Sequence, residues 1–478
     1  MEPIVYHEYA DAMLDRAVVA AQYFKSFDQK TVDDIVDAVF QAAYEARIDL
    51  ARMAYEETGI GVLAHKVIKN TWASLLVYEN IKHQKTVGEI GHDPEMGITR
   101  IAQPRGPILA LTPLTNPTST IIFKVLIALK TRNPLIFSPH GAARKCSRAA
   151  VDLLHEAAVR AGAPANCLQF ITKKHKDYLF HIMRHPDLAL ILATGTRQIV
   201  KEAYASAKPV IGIGPGNVPV YVHETSDLDL AADSIVLSKT FDNGTVCASE
   251  QALVIERGVD AVLRPKLEAR GCFFCTEEQA ERLGPVTFDS QNRLMRADVV
   301  GQPAAVLAER AGFSVPEAIR LLIAPCRGVG PGFPLSYEIL TPLLTHYAVD
   351  TYADALDVSF KLNALGGRGH TVSIYTNSEA VIQDFIARVS AGRLLVNTPA
   401  TQGAIGGLYN SLNPSFTLSC GTEAGNIFTD NITTTHLLNI QRIARRRPNR
   451  RWHAVPQEAW QDSRIDGKEI KRLYNRNY

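Results

Sequence analysis

Up to about Lys85 the apolar positions keep helical spacing: Ala10, Met13, Leu14, Ala17, Val18 and Ala21, then Ile35, Val39, Ala42, Ala43, Ala46 and Leu50. Such spacing lines one face of a helix and predicts a helical N-terminal segment. From Ile90 to Pro104 the pattern shifts toward strand, with Asp93-Pro94 as turn punctuation. Short apolar runs then alternate with helix-like stretches. The reading predicts strands at 107–111, 134–137 and 188–192, and helices at 118–130, 142–161 and about 197–206. Alternation of this kind implies parallel βαβ units and a doubly wound sheet. A second α/β stretch is expected from Phe241 to about Gly425, with strands at 252–255, 347–349, 371–375 and 394–396.

Composition narrows the class. With 478 residues, 46% hydrophobic and 21% charged, the chain has apolar mass for a large core, about three units at roughly 150 residues each. Disorder, collagen-like repetition and a small disulfide scaffold are excluded. The balance of 51 Lys+Arg against 49 Asp+Glu leaves +2, so no whole-chain field recruits nucleic acid or an anionic membrane. The segment from Met1 to Glu8 carries no signal-peptide pattern, and no apolar run approaches the roughly 20 residues of a membrane helix. Seven scattered cysteines suit a reducing compartment. A cytoplasmic, multi-domain enzyme without nucleic-acid or membrane partner is the expectation. The basic run Arg442, Arg445, Arg446, Arg447, Arg450 and Arg451, followed by Trp452 and Trp460, is expected to pack on a neighbouring subunit.

Candidate chemistry begins at Phe241-Asp242-Asn243-Gly244 and Cys247-Ala248-Ser249-Glu250-Gln251. Cys247 follows a polar turn and precedes a stretch read as opening a helix. There the helix dipole would favour the thiolate that nucleophilic catalysis requires; the alternative is a buried structural cysteine. Asn116, in the turn Leu111-Thr112-Pro113-Leu114-Thr115-Asn116-Pro117, either donates into a cleft or caps the next helix. Thr194-Gly195-Thr196 closes a strand and opens a helix, leaving N–H groups for a pyrophosphate. Gly212-Ile213-Gly214-Pro215-Gly216-Asn217 admits a ligand or turns the chain, and neither segment has the full Rossmann fingerprint. His370, in the loop-like Gly366-Gly367-Arg368-Gly369-His370, is either solvated or a base. Cys272 and Cys275, with Cys146, Cys167, Cys326, Cys420 and His140, show no metal-ligand clustering, so no metal is expected.

These motifs, with Thr115 to Thr120, Gly403-Ala404-Ile405-Gly406 and the stretch from Asn431 to Ile440, resemble the CoA-acylating aldehyde dehydrogenases. The nearest likeness is the N-terminal half of the bifunctional aldehyde–alcohol dehydrogenases, over nearly the whole chain. The iron-dependent half is missing, so only the acylating step is expected. The resemblance implies an α/β aldehyde dehydrogenase fold in three parts. Residues 1–88 and 102–240 would form a Rossmann-like dinucleotide-binding domain, 241–425 a second α/β catalytic domain carrying Cys247, and 89–101 with 426–478 a small oligomerisation arm. A homodimer or homotetramer follows. Cys247 matches the nucleophile, Asn116 the oxyanion donor, and His370 a histidine assigned to proton transfer. Leu111, Thr112, Pro113, Leu114, Thr115, Asn116, Ser138, Pro139, His140, Thr194, Gly195, Thr196, Gly214, Glu338, Leu340 and Gly421 match the NAD or NADP site. Coenzyme A is the implied co-substrate. Hydrolytic relatives carry a water-activating Glu where Ile213 stands here. The rival readings are a hydrolytic dehydrogenase yielding free acid and a non-catalytic scaffold. Acetaldehyde, propanal, succinic semialdehyde and sulfoacetaldehyde remain open as substrates.

Overall fold

The computed structural model describes residues 3–173 and 176–476. Met1, Glu2, Lys174, His175, Asn477 and Tyr478, inside the expected domain ranges, lie outside the described residues. The N-terminal helices are Pro3–Lys25, Gln29–Glu45, Arg47–Thr58 and Leu63–Thr71. Asp28 caps the second of them by accepting the Thr31 N–H.

Strands β1 (Gly88–Asp93) and β2 (Ile98–Pro104) form an antiparallel hairpin. The first parallel sheet contains β3 (Ile108–Thr112), β4 (Leu135–Pro139), β5 (Leu168–Phe170), β6 (Leu190–Thr194) and β7 (Val210–Ile213). Its order, β5-β4-β3-β6-β7, reverses direction between β3 and β6. That reversal opens the crevice in which open α/β sheets bind ligands.

The second sheet begins with β8 (Val218–Val222), β9 (Glu250–Glu256) and β10 (Cys272–Phe274). A short ribbon of β11 (Phe288–Asp289) and β12 (Leu294–Met295) intervenes. Then come β13 (Leu321–Pro325), β14 (Leu343–Val349), β15 (Gly369–Tyr375) and β16 (Ala391–Val396), in parallel order β10-β13-β14-β9-β8-β15-β16. Strand β17 (Leu438–Ala444) completes a three-stranded sheet in the order β1-β2-β17.

Two compact units result. The larger, Met1–Gln84 with Pro104–Leu438, contains both parallel sheets; the smaller is Lys85–Gln103 with Asn439–Tyr478. Residues 218–240, expected in the dinucleotide domain, instead run with the second sheet, because β8 pairs with β9 and β15. The loop Gly214–Asn217 leaves the C-terminal end of β7 and enters the N-terminal end of β8 directly. The C-terminal edge of one sheet therefore meets the N-terminal edge of the other at this loop.

Burial explains the strands. All five residues of β3 and all seven of β15 are buried, as parallel strands covered on both faces must be. Helix Pro117–Lys130 is buried along its whole length and apolar on nearly every side. Its one mid-helix charge, Lys124, donates to the carbonyls of Leu111 on β3 (2.6 Å) and Leu192 on β6 (2.9 Å), bridging the two strands at the reversal. Burial pushes this ammonium down to about 7. Among the described residues no helix is long and apolar enough to cross a membrane.

Gly369 opens β15 at φ +73°, and a Cβ there would lie 1.6 Å from the Cys420 carbonyl oxygen. Gly369→Ala combines left-handed strain with overpacking, and we expect about 3 kcal/mol of lost stability, read by denaturant unfolding.

Candidate active site

Cys247 lies in the turn between Gly244 and β9, not at a helix N-terminus as the sequence reading expected. The stretch after it is strand because Glu250 to Ile255 is buried on both faces of a seven-stranded sheet. No helix dipole therefore acidifies the thiol. Burial, the Glu338 carboxylate and the neighbouring Cys420 thiol push it up to about 12, against the opposing charge of Arg393. The residue is nonetheless partly exposed, in an apolar cup of Val218, Phe241, Val246, Ala248, Ala400 and Leu418.

The loop before Cys247 is unusual. Asp242 (φ 50°), Asn243 (φ 53°) and Gly244 (φ 69°) are consecutively left-handed, a conformation costing non-glycine residues about 1–3 kcal/mol each. Asp242, fully buried, over-determines it. Its carboxylate accepts from Lys69 Nζ (2.5 Å), Lys66 Nζ (3.3 Å), Thr245 Oγ1 (2.9 Å) and the Val62 N–H (2.7 Å). Its own N–H donates to His65 Nδ1 at 2.8 Å. Gly61 permits the approach, since a Cβ there would meet Asp242 Oδ1 at 2.0 Å. Burial alone would raise the Asp242 carboxyl, but the Lys69 and Lys66 charges hold it below the usual carboxylate range.

Lys69 also reaches Asn116. Burial pushes its ammonium down to about 8, against the Asp242 charge. Its Nζ donates to Asn116 Oδ1 at 2.5 Å, and Asn116 Nδ2 donates to Thr115 Oγ1 at 3.0 Å. Asn116 occupies the N-cap position of its helix, but its side chain caps nothing. With Oδ1 held by a cation, the amide nitrogen is oriented and keeps a second hydrogen for another acceptor.

His370 is not in a loop. It is the second residue of β15, with no exposed surface. Burial and the Arg393 charge push it down to about 3, so the imidazole is neutral. Nδ1 lies 3.0 Å from Thr371 Oγ1, while Nε2 has no partner among the described residues. A Cβ on Gly216 would lie 2.2 Å from the Cys247 carbonyl oxygen and 3.4 Å from His370 Nδ1. The glycine thus brings thiol turn and imidazole to one loop. Arg393 locks the far side, donating to the carbonyls of His370 (3.0 Å) and Ser419 (2.8 Å) and to Asn431 Oδ1 (3.0 Å).

Glu338 accepts the Gly216 N–H at 2.9 Å, tying the seam loop to the chain before β14. The adjoining Ile339 is pinned by Gln251 Oε1, which accepts its N–H (3.0 Å), and by Lys239 Nζ, which donates to its carbonyl (3.1 Å). Leu340 uses its N–H on Met295 Sδ, and Gly421 donates to the Phe428 carbonyl.

The ends of β3, β4 and β6 carry the other expected residues. Thr112 and Thr194 close β3 and β6 on either side of the reversal, and both hydroxyls are buried without a partner among the described residues. A Cβ on Gly214 would meet nothing within 4 Å, so the space there is open. Thr196 stands at the N-cap of Arg197–Tyr204 without a side-chain cap bond. Unpaired hydroxyls, free helix N–H groups and open space fit a pyrophosphate-bearing dinucleotide. Ser138 and Pro139 end β4, and the His140 N–H donates to the Thr112 carbonyl. Arg144, just beyond them, donates to the carbonyls of Ile171 and Thr172.

Lys66, Lys69, Lys124, Lys239, Gln251 and Asp242 were given no role from the sequence. Lys124 was visible there as a lone charge in an apolar helix. Lys66 and Lys69 look like a solvated helix face until the fold buries them.

Residues 5–307 match the aldehyde dehydrogenase family. The chain is 42% identical over 454 residues to the bifunctional aldehyde-alcohol dehydrogenase AdhE of Escherichia coli K12, covering 94% of this chain and 51% of that protein. It spans about half the length of the curated relatives it matches first. It is also similar to an acetylating aldehyde dehydrogenase of Geobacillus thermoglucosidasius, with TM-score 0.90 and 41% identity over 94% of this chain and 100% of that one. A propionaldehyde dehydrogenase of Rhodopseudomonas palustris, solved with bound propionyl-CoA, is 25% identical with TM-score 0.82, covering 91% and 94% respectively. The expected α/β architecture is the one observed.

Asp242→Asn leaves two ammonium groups without their buried counter-charge and should cost about 3–5 kcal/mol in denaturant unfolding. Because the Asp242 carboxyl is depressed in the fold, its contribution is present above the unfolded carboxylate pKa and is lost as pH falls through the lower folded value. The difference between wild type and Asp242→Asn should therefore shrink in acid. Alkylation of Cys247 by iodoacetamide should rise with pH from 7 to 10 without a plateau. Glu338→Gln, by removing one charge that raises the thiol, should accelerate it at pH 8 by up to about tenfold, roughly one pKa unit.

Proposed function

The chain belongs to the aldehyde dehydrogenase family, and from this we propose that it is a CoA-acylating aldehyde dehydrogenase. In this reading it converts a short-chain aldehyde, NAD+ or NADP+ and coenzyme A into acyl-CoA, reversibly, through a thioester on Cys247. One observation carries the acylating assignment over the hydrolytic one. Ile213, where a water-activating Glu would stand, is the buried, apolar last residue of β7.

The chemistry follows from the side chains. Cys247 Sγ loses its proton and adds to the aldehyde carbon, and the carbonyl oxygen takes up the negative charge. The free hydrogen of Asn116 Nδ2 and the Cys247 backbone N–H receive that charge. Lys69, bound to Asn116 Oδ1, fixes which way the amide faces and strengthens it as a donor. Thr112, Thr194, the Thr196 helix end and Gly214 would hold a nicotinamide dinucleotide, which would supply the hydride acceptor the adduct needs to become a thioester. The acyl group then waits in an apolar cup with no activated water. His370, neutral and with Nε2 unpartnered, offers a lone pair to the incoming thiol of coenzyme A. Thiol-for-thiol exchange is nearly isoenergetic, which keeps the reaction reversible.

Arg393 bears on substrate charge. Its guanidinium is spent on backbone and amide oxygens of the protein, so this buried cation has no role for a carboxylate or sulfonate. We assign uncharged aldehydes, acetaldehyde or propanal, ahead of succinic semialdehyde and sulfoacetaldehyde. We also assign the chain to the cytoplasm, on seven free cysteines. The smaller unit, whose strand β17 is exposed beyond Leu438, is assigned to subunit contact in a homodimer or homotetramer.

Reduced dinucleotide should form from acetaldehyde only when coenzyme A is present, with acyl-CoA as the product in mass spectrometry. Free acid formed at the same rate without coenzyme A would establish the hydrolytic reading instead. Cys247→Ser should lower kcat by at least roughly a thousandfold. Lys69→Met should lower kcat by about 10²–10³, the range for a lost oxyanion donor, with little change in KM.

A further inference from the structure

Helices Pro3–Lys25 and Lys176–Arg184 pack beside the first sheet, burying Ala10, Met13 and Leu14 against Ile182 and Met183. At the rim of that contact stand four metal-binding side chains that the proposed reaction does not use. His7 and Asp11 are one turn apart on the first helix. His181 is on the second, and His185 follows one turn later, just beyond its end. Asp11 Oδ1 lies 2.6 Å from His181 Nε2 and 3.4 Å from His185 Nε2. One donor atom from each of Asp11, His181 and His185 falls within 4.8 Å of the others. The His7 ring stacks on His181 with centroids 4.1 Å apart, and His185 meets His181 edge-on at 5.9 Å.

We propose that His7, Asp11, His181 and His185 form a binding site for a divalent cation of the zinc class. Residues four apart share one helix face, so His7 and Asp11 form a pair on the first helix, and His185 follows His181 at the same spacing just past the end of the second. Zinc bound at about 2.0–2.1 Å in a tetrahedron sets neighbouring donors about 3.3–3.5 Å apart. The spacing of Asp11 to His185 already fits, and small side-chain rotations admit the ion between Asp11 and His181. Imidazole nitrogens with one carboxylate select zinc, copper or nickel over magnesium or calcium, which prefer all-oxygen sets. The ligands are within reach of solvent, with side-chain exposures of 44% for Asp11, 26% for His181 and 12% for His185. A filled four-ligand site is of the structural kind. It would fasten the N-terminal helix to the helix that leads into β6, whose end carries Thr194.

The test uses the full chain stripped with chelator, then dialysed against Zn2+ or Co2+. One Zn2+ per chain is expected, with a rise in melting temperature. Co2+ should give visible d–d bands without the near-ultraviolet charge-transfer band that thiolate ligands produce. His181→Ala combined with His185→Ala should weaken binding by roughly tenfold or more and abolish the thermal shift. Asp11→Asn keeps a side chain of the same shape and hydrogen-bonding ability, and should weaken binding similarly while the protein stays folded. Absence of stoichiometric binding would overturn the proposal. So would binding unchanged in both variants, or a cobalt–thiolate band, which would locate the ion on cysteines.

Discussion

One buried charge organises the catalytic side of this protein. Asp242 sits in a run of three left-handed residues, and four donors, three from residues 62–69 and the fourth from Thr245, converge on its carboxylate. A buried carboxylate is tolerable only with such partners. Each partner in turn is fixed by the carboxylate. Lys69 is the most consequential, because the same ammonium reaches Asn116 and thereby orients its amide. The strained loop, the thiol turn behind it and the amide across from it are one electrostatic assembly.

The meeting of two sheet edges supplies the second constraint. An open α/β sheet ordinarily binds ligands at the C-terminal ends of its strands. Here the C-terminal ends of β3 and β6 flank the crevice proposed for the dinucleotide, while Cys247 and His370 lie at the N-terminal edge of the other sheet. The loop Gly214–Asn217 makes this possible, and it admits no side chain at Gly216. Glu338 holds the loop from one side through the Gly216 N–H. Arg393 holds the histidine strand and the Ser419–Cys420 segment from the other.

The resting thiol is weakly acidic because apolar packing, Glu338 and Cys420 all oppose its charge. In the proposed reaction the same packing would surround the acyl group, so one environment would set both the reactivity of the thiol at rest and the protection of the thioester.

Much of this was legible in the residues themselves. Runs of buried aliphatic residues punctuated by turns are enough to predict parallel strands with covering helices, since a sheet buried on both faces needs near-continuous apolar strands. Cys247 and Asn116 could be singled out as candidates because each stands in a short contiguous motif, and Glu338 only through the resemblance. What stayed hidden depends on approach between distant segments. The strand expected at 252–255 begins already at Glu250, between β8 and β14, and leaves no room for a helix to open after Cys247. His370 looked solvated until β15 buried it. Lys69 and Asp242 are separated by 173 positions, and Asp11 and His181 by 170, so no spacing along the chain announces either pair. Sequence alone determined where buried strands alternate with covering helices and which motifs are candidates for chemistry, because those follow from local periodicity and residue type. Tertiary structure alone decided which charges are buried together, because desolvation and Coulomb attraction depend on distance in space.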